Sequence, residues 1–105
     1  MIQIEGVKAS KGIASGLAFR PDSQLATEFI DGSIIVTEMT TPDDVPLMVR
    51  AGGIVTFNGS LLCHAAIVSR ELKIPCVVNV PSAMAISANT VVTVDGDKGM
   101  VEYEG

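Results

Sequence analysis

Aromatic residues are scarce in this sequence: tryptophan is absent, and Phe19, Phe29, Phe57 and Tyr103 are the whole complement. So few rings make no stacking platform for single-stranded nucleic acid. Positive charge is also scarce, with seven Lys and Arg against twelve Asp and Glu, a formal net charge of -5. The basic residues are scattered along the chain without a polybasic run, which excludes a nonspecific grip on nucleic acid or anionic membrane. Cys63 and Cys76 are the only cysteines and form no CxxC pair. They are too few for a disulfide framework and read as small buried hydrophobes in a reducing compartment. Cys63, His64 and Cys76 are not assigned as a metal site, because adjacent residues rarely ligate one ion, and no metal is assigned to the chain. No segment approaches the roughly 20 apolar residues needed to span a bilayer. Met1-Ile2-Gln3-Ile4-Glu5 has neither the basic start nor the apolar run of a signal peptide, so the expectation is a cytoplasmic protein.

What is present is apolar: 48% of the 105 residues are hydrophobic and 18% charged, which fits one globular domain over residues 1–105. Residues 2 to 9 alternate weakly as a strand interrupted by Gly6, and Ile13 to Phe19 reads as a second strand softened by glycine. Leu25 to Ile30 is a weak strand candidate. Asp31-Gly32 turns into the β-branched run Ser33 to Thr37. Thr41-Pro42-Asp43-Asp44 predicts a helix start, with Thr41 or Asp44 as cap, running to about Ala51 and burying Val45, Met48 and Val49. Gly52-Gly53 ends it, and Ile54 to Phe57 is the next strand.

The second β-α-β passage carries the chemistry. The polar turn Asn58-Gly59-Ser60 leads through Cys63 and His64, the only histidine, into a helix that ends at Lys73-Ile74-Pro75, before the strand Cys76 to Val80. Parallel pairing is expected in both passages, and in open α/β sheets ligands collect beyond the carboxyl ends of such strands. Pro81 to Ala85 forms one helical turn, and Thr90 to Val94 pairs with Met100 to Tyr103 across Asp95 to Gly99. That turn lacks the ligand set of a calcium loop.

A histidine in the first turn of a helix lies beside free backbone N–H groups and the positive end of the dipole, which favours neutral imidazole with a nucleophilic nitrogen. The same groups suit a phosphoryl group attached to it. Gly59, Ser60, Ala65 and Ala66 leave room for another molecule to approach. On a helical wheel with His64 at zero, Val68, Leu72 and Ala65 fall at about 40, 80 and 100 degrees and define the stripe facing the sheet. Arg70 falls at about 240 degrees, off that stripe. The plainer readings stand beside these: a lone histidine is usually a surface or capping residue, Arg70 and Glu71 a solvated face, Ser60 a loop hydroxyl, and the five methionines core filler.

The run Cys63-His64-Ala65-Ala66-Ile67-Val68-Ser69-Arg70-Glu71-Leu72-Lys73-Ile74-Pro75 resembles the phosphohistidine motif of the phosphoenolpyruvate (PEP)-utilising enzymes, such as pyruvate phosphate dikinase and phosphoenolpyruvate synthase. Ser10 to Gly16, Thr41 to Asp44, Gly53 to Thr56 and Val92 to Gly96 match further family segments in the same order. The resemblance implies an α/β fold, a swivelling β/β/α phosphohistidine domain. It implies a transferase part, dikinase-like and inactive alone, that carries phosphate on His64 from ATP or PEP to an acceptor on another domain. Gly59, Ser60, Cys63, Ala65 and Arg70 would support the phosphate. No cofactor is expected on this chain. Mg and ATP belong to an ATP-grasp-type nucleotide-binding partner, and PEP, pyruvate or another acceptor to a second partner. Three positions depart from the family pattern. Leu62 stands where some dikinases have a phosphorylatable threonine, and Lys73 and Asn79 stand where glycine is frequent. The alternatives are a noncatalytic module that retains the swivelling fold, and an aconitase-type swivelling domain.

Overall fold

The chain is described from a computed structural model over residues 1–21 and 29–104. Among these residues the strands are β1 (Ile2–Glu5), β2 (Val7–Ser10), β3 (Ile13–Phe19), β4 (Ile34–Thr37), β5 (Gly53–Thr56), β6 (Cys76–Val78), β7 (Val91–Asp95) and β8 (Met100–Tyr103). The α-helices are α1 (Val45–Met48) and α2 (His64–Leu72), with 3-10 turns at Pro42–Asp44 and Pro81–Ala85. The strand order is β1-β8-β7-β3-β4-β5-β6-β2. β4, β5 and β6 pair in parallel, as both β-α-β passages predict, β3 also joins β4 in parallel, and the remaining pairs are antiparallel.

Residues 2 to 10 serve both ends of this order. β1 pairs with β8 and β2 with β6, so Gly6 lies where the chain passes from one edge to the other. A Cβ at Gly6 would strike Val80 and come within 2.6 Å of the Val78 carbonyl oxygen, which only glycine avoids.

Alternation along the parallel strands explains the layering. Ile34, Val36, Val55 and Val77 point into a core shared with Val92, Val94, Val101 and Tyr103 of the antiparallel sheet. Ile35, Ile54, Cys76 and Val78 point the other way, against Met48, Ala51, Ala65 and Ala66 from the helical layer. With both faces covered, these strands read as continuous apolar runs rather than as alternating ones. The result is the α/β swivelling arrangement in three layers, β/β/α. Among the described residues, no helix is long and apolar enough to cross a membrane.

Several local expectations need correction. α1 ends at Met48 rather than near Ala51: Pro46 stands in its first turn, where no N–H is needed, and beyond Met48 the Arg50 and Ala51 N–H groups bond the Leu47 and Met48 carbonyls in the 3-10 manner. In so short a helix Met48 and Ala51 take the sheet-facing positions, and Val49 is left 56% exposed. Asp44 accepts the Thr41 N–H at 2.7 Å, closing the turn that Thr41 opens. The methionines are not uniformly filler: Met48 is fully buried, whereas Met39 and Met84 are mostly exposed. On α2 the buried positions are Ala65, Ala66 and Ser69, while Val68 and Leu72 are half-buried at the margin. Small side chains let this helix lie close to the sheet, which moves the larger ones to its flanks. The weak strand at Leu25 to Ile30 falls mostly outside the described residues, and Phe29 and Ile30 belong to no regular element.

Candidate functional site

Parallel pairing brings two loops together. Thr37 of β4 lies opposite Thr56 of β5, and the pairing continues past the strand ends, with the Phe57 N–H on the Thr37 carbonyl (2.9 Å) and the Asn58 N–H on the Glu38 carbonyl (3.2 Å). Beyond that point one chain supplies Met39 and Thr40, and the other runs through Gly59 to His64. The Thr56 hydroxyl donates to the Asn58 carbonyl at 2.6 Å, and the Thr37 hydroxyl to the Met39 carbonyl at 3.3 Å, so each strand's last threonine holds the loop it starts.

The outcome is a contact that the sequence did not announce. Thr40 Oγ1 lies 2.7 Å from His64 Nδ1. Thr40 is buried and His64 half-buried, so the threonine holds the Nδ1 edge of a ring that is still partly open to solvent. A cavity of about 60 Å³ opens beside the ring, lined by Met39, Thr40, Thr56, Asn58, Gly59, Cys63, His64 and Ala65. Among these described residues there is no lysine or arginine. Thr40 was legible only as a residue just beyond the end of one strand, and its partner lies beyond the next.

His64 is the first residue of α2. Cys63 precedes it in an extended conformation (φ -74°, ψ 163°) without a side-chain cap, and its carbonyl accepts the first helical bond from the Ile67 N–H at 3.0 Å. The N–H groups of His64, Ala65 and Ala66 therefore precede the helical ladder, as at every helix start. Gly59 has φ +137°, and a Cβ there would lie 3.0 Å from Cys63 Sγ and 3.3 Å from Val78 Cβ. Its role is thus to let the loop turn against Cys63, as well as to keep the cavity open. Ser60 does not line the cavity: its hydroxyl accepts the Leu62 N–H (3.3 Å) and its carbonyl the Cys63 N–H (3.2 Å). Ala65 reaches the cavity wall, and Ala66 belongs to the core.

Arg70 is not a simple solvated residue. Its guanidinium donates to the Ala9 carbonyl at 3.0 Å and the Leu61 carbonyl at 2.6 Å, tying β2 to the loop that precedes His64. It stands away from the cavity, so the structure does not bring it to the imidazole with Gly59, Cys63 and Ala65. Cys76 is buried, its thiol pushed up to about 12 by loss of solvent, with the Ser69 hydroxyl opposing the shift. It is a protonated core side chain at neutral pH. Among the described residues, no three His, Cys, Asp or Glu side chains stand together as metal ligands.

Two departures from the family pattern acquire a backbone meaning. Lys73 (φ 60°) closes α2 and Asn79 (φ 59°) follows β6, both in the left-handed region. Glycine is frequent at such positions because it takes that conformation without a Cβ penalty, and these residues keep the conformation while bearing the strain.

Residues 29–99 match a family described as PEP-utilising enzyme, mobile domain. The chain is 49% identical over 108 residues to a probable phosphoenolpyruvate synthase of Staphylothermus marinus, covering 99% of this chain and 13% of that protein. It thus spans about an eighth of the length of this curated relative. Among solved structures, the N-terminal Enzyme I structure determined by NMR gives a TM-score of 0.62 at 30% identity, over 70% of this chain and 31% of that one. The holo-form of aconitase X from Thermococcus kodakaraensis gives a TM-score of 0.76 over the whole of both chains at 18% identity, a likeness of fold alone.

Proposed function

Because this chain belongs to the PEP-utilising enzyme mobile-domain family, we propose that residues 1–105 act as one phosphoryl-carrying domain, with His64 as the covalent carrier. It works in the cytoplasm, between a donor site and an acceptor site on other domains of a phosphoenolpyruvate synthase-like protein. Mg and ATP bind at the nucleotide-binding partner, and PEP or pyruvate at the second.

The observation that carries this reading is the 2.7 Å contact between Thr40 Oγ1 and His64 Nδ1 beside a cavity of phosphoryl size. When Nδ1–H donates to the threonine oxygen, Nε2 presents its lone pair. Nε2 forms the N–P bond as the P–O bond to the donor's leaving oxygen breaks, and that oxygen keeps the electron pair. Nδ1 retains its proton, and Thr40 steadies the positive ring that results. Onward transfer returns the N–P electron pair to Nε2 as the acceptor oxygen bonds phosphorus. The free N–H groups at the start of α2 face the phosphoryl oxygens, and the dipole adds about 0.3 to 1 kcal/mol.

The test is incubation with a nucleotide-binding partner and ATP labelled on each phosphate in turn. Acid-labile, base-stable label is expected on the wild type and absent from His64→Ala. Label retained by that variant, or full activity of the assembled complex carrying it, overturns the carrier role and favours a noncatalytic module.

A further inference from the structure

Lys11, Arg70 and Lys73, dispersed in the sequence, converge on one groove of about 790 Å³ that also includes Ser10, Gly12 and Asp97. It runs along the flank of α2, between that helix and the β2–β3 turn, and among the described residues shares no lining residue with the His64 cavity. We infer that this groove is a docking site for an Asp- and Glu-rich segment of a companion domain.

Charge and shape together select that occupant. Among the described residues lining the groove there are three cations and a single acid, although the chain as a whole carries -5. Asp97 is already engaged, accepting the Gly12 N–H at 3.0 Å, and that bond also removes the backbone donor that would otherwise face a phosphate. Among the described residues, Lys11 and Lys73 pair with no carboxylate. No aromatic ring is among the described residues lining the groove, so none is there to stack a nucleotide base. Separated point charges along an open channel match a run of carboxylates better than one compact phosphate. The chain spans about 13% of its Staphylothermus relative, so most of such a protein lies outside it and is available as the companion.

Arg70 makes the groove more than a passive contact. Two of its five guanidinium N–H donors hold the Ala9 and Leu61 carbonyls, and the rest remain for an incoming carboxylate. Leu61 begins the short approach to His64, so occupancy of the groove is read by the loop that sets the imidazole. A carrier latched here remains tethered while its histidine face changes partners.

The 105-residue chain, isotopically labelled for NMR, is titrated with a short oligoglutamate peptide and, separately, with inorganic phosphate. The peptide is expected to move the amide signals of Lys11, Gly12, Arg70 and Lys73, with a secondary shift at Leu61 and Leu62. Lys11→Glu with Lys73→Glu should weaken binding roughly tenfold without disturbing the fold, since both side chains are exposed. Equal shifts from phosphate alone, shifts confined elsewhere, or a dimer that dissociates in the double variant would each overturn the proposal. No phosphoryl transfer enters this measurement, so its result is independent of the role of His64.

Discussion

The start and the flank of α2 are built on opposite principles. At its start, a tight cavity of about 60 Å³ is lined by two threonines, an asparagine, Met39, the small residues Gly59, Cys63 and Ala65, and one imidazole, with no lysine or arginine among the described residues. Along its flank, a groove of about 790 Å³ gathers Lys11, Arg70 and Lys73. Under the carrier role proposed for His64, the difference suits a group that must be given up again. Fixed cations beside a phosphohistidine would hold the phosphate in place, whereas a covalent bond with neutral donors leaves the next active site to supply the charge. Cations serve better where the task is to hold a partner.

The sharpest way to break this contrast is Thr40→Val, which removes the one side-chain partner of the imidazole among the described residues. Loss of a hydrogen bond to a group that becomes charged costs about 1.5 to 3 kcal/mol, or roughly 10- to 100-fold in the rate of His64 phosphorylation. Rapid-quench labelling should show that loss, Thr40→Ser should recover most of it, and oligoglutamate binding at the groove should be unchanged. An unaltered labelling rate would remove Thr40 from the site.

Gly59→Ala is expected to act on the fold of the same loop. The substitution places a Cβ at φ +137° and 3.0 Å from Cys63 Sγ, a strain of about 1 to 3 kcal/mol. A lowered urea midpoint at unchanged slope would register it. Stability equal to wild type would mean that the loop does not need glycine there.

The smallest effect separates backbone from charge at the groove. Lys73→Gly relieves the left-handed strain at φ 60° and is expected to stabilise the chain by about 0.5 to 1 kcal/mol, raising Tm by roughly 2 to 5 °C. The same change deletes a groove cation, so peptide binding should weaken as stability rises. If both fall together, Lys73 is holding the helix end rather than waiting for a partner.

Much of the parallel layer was legible in the sequence, because Ile34 to Thr37, Gly53 to Thr56 and Cys76 to Val78 are apolar runs bounded by turn residues. The position of His64 at a helix start was equally plain from the turn that precedes it and the helix after it. Less was visible where a short helix had to choose its buried face: Val49 satisfied the helical spacing and still ended in solvent. Thr40 and the Arg70 clamp were illegible for a stronger reason, since each partner lies on a different stretch of chain. Their pairings are 24 and 61 residues apart for His64 with Thr40 and Arg70 with Ala9.

By itself, then, the sequence determined the local matters: which apolar runs form the parallel strands and where α2 begins. Those follow from side-chain period, turn chemistry and helix capping, which act over a few neighbouring residues. Only the tertiary structure decided which hydroxyl meets the imidazole, which carbonyls hold Arg70, and that dispersed lysines share one groove. Parallel pairing of β4 with β5, and of β2 with β6 in the opposite sense, brings distant loops within bonding distance, and no local pattern encodes that meeting.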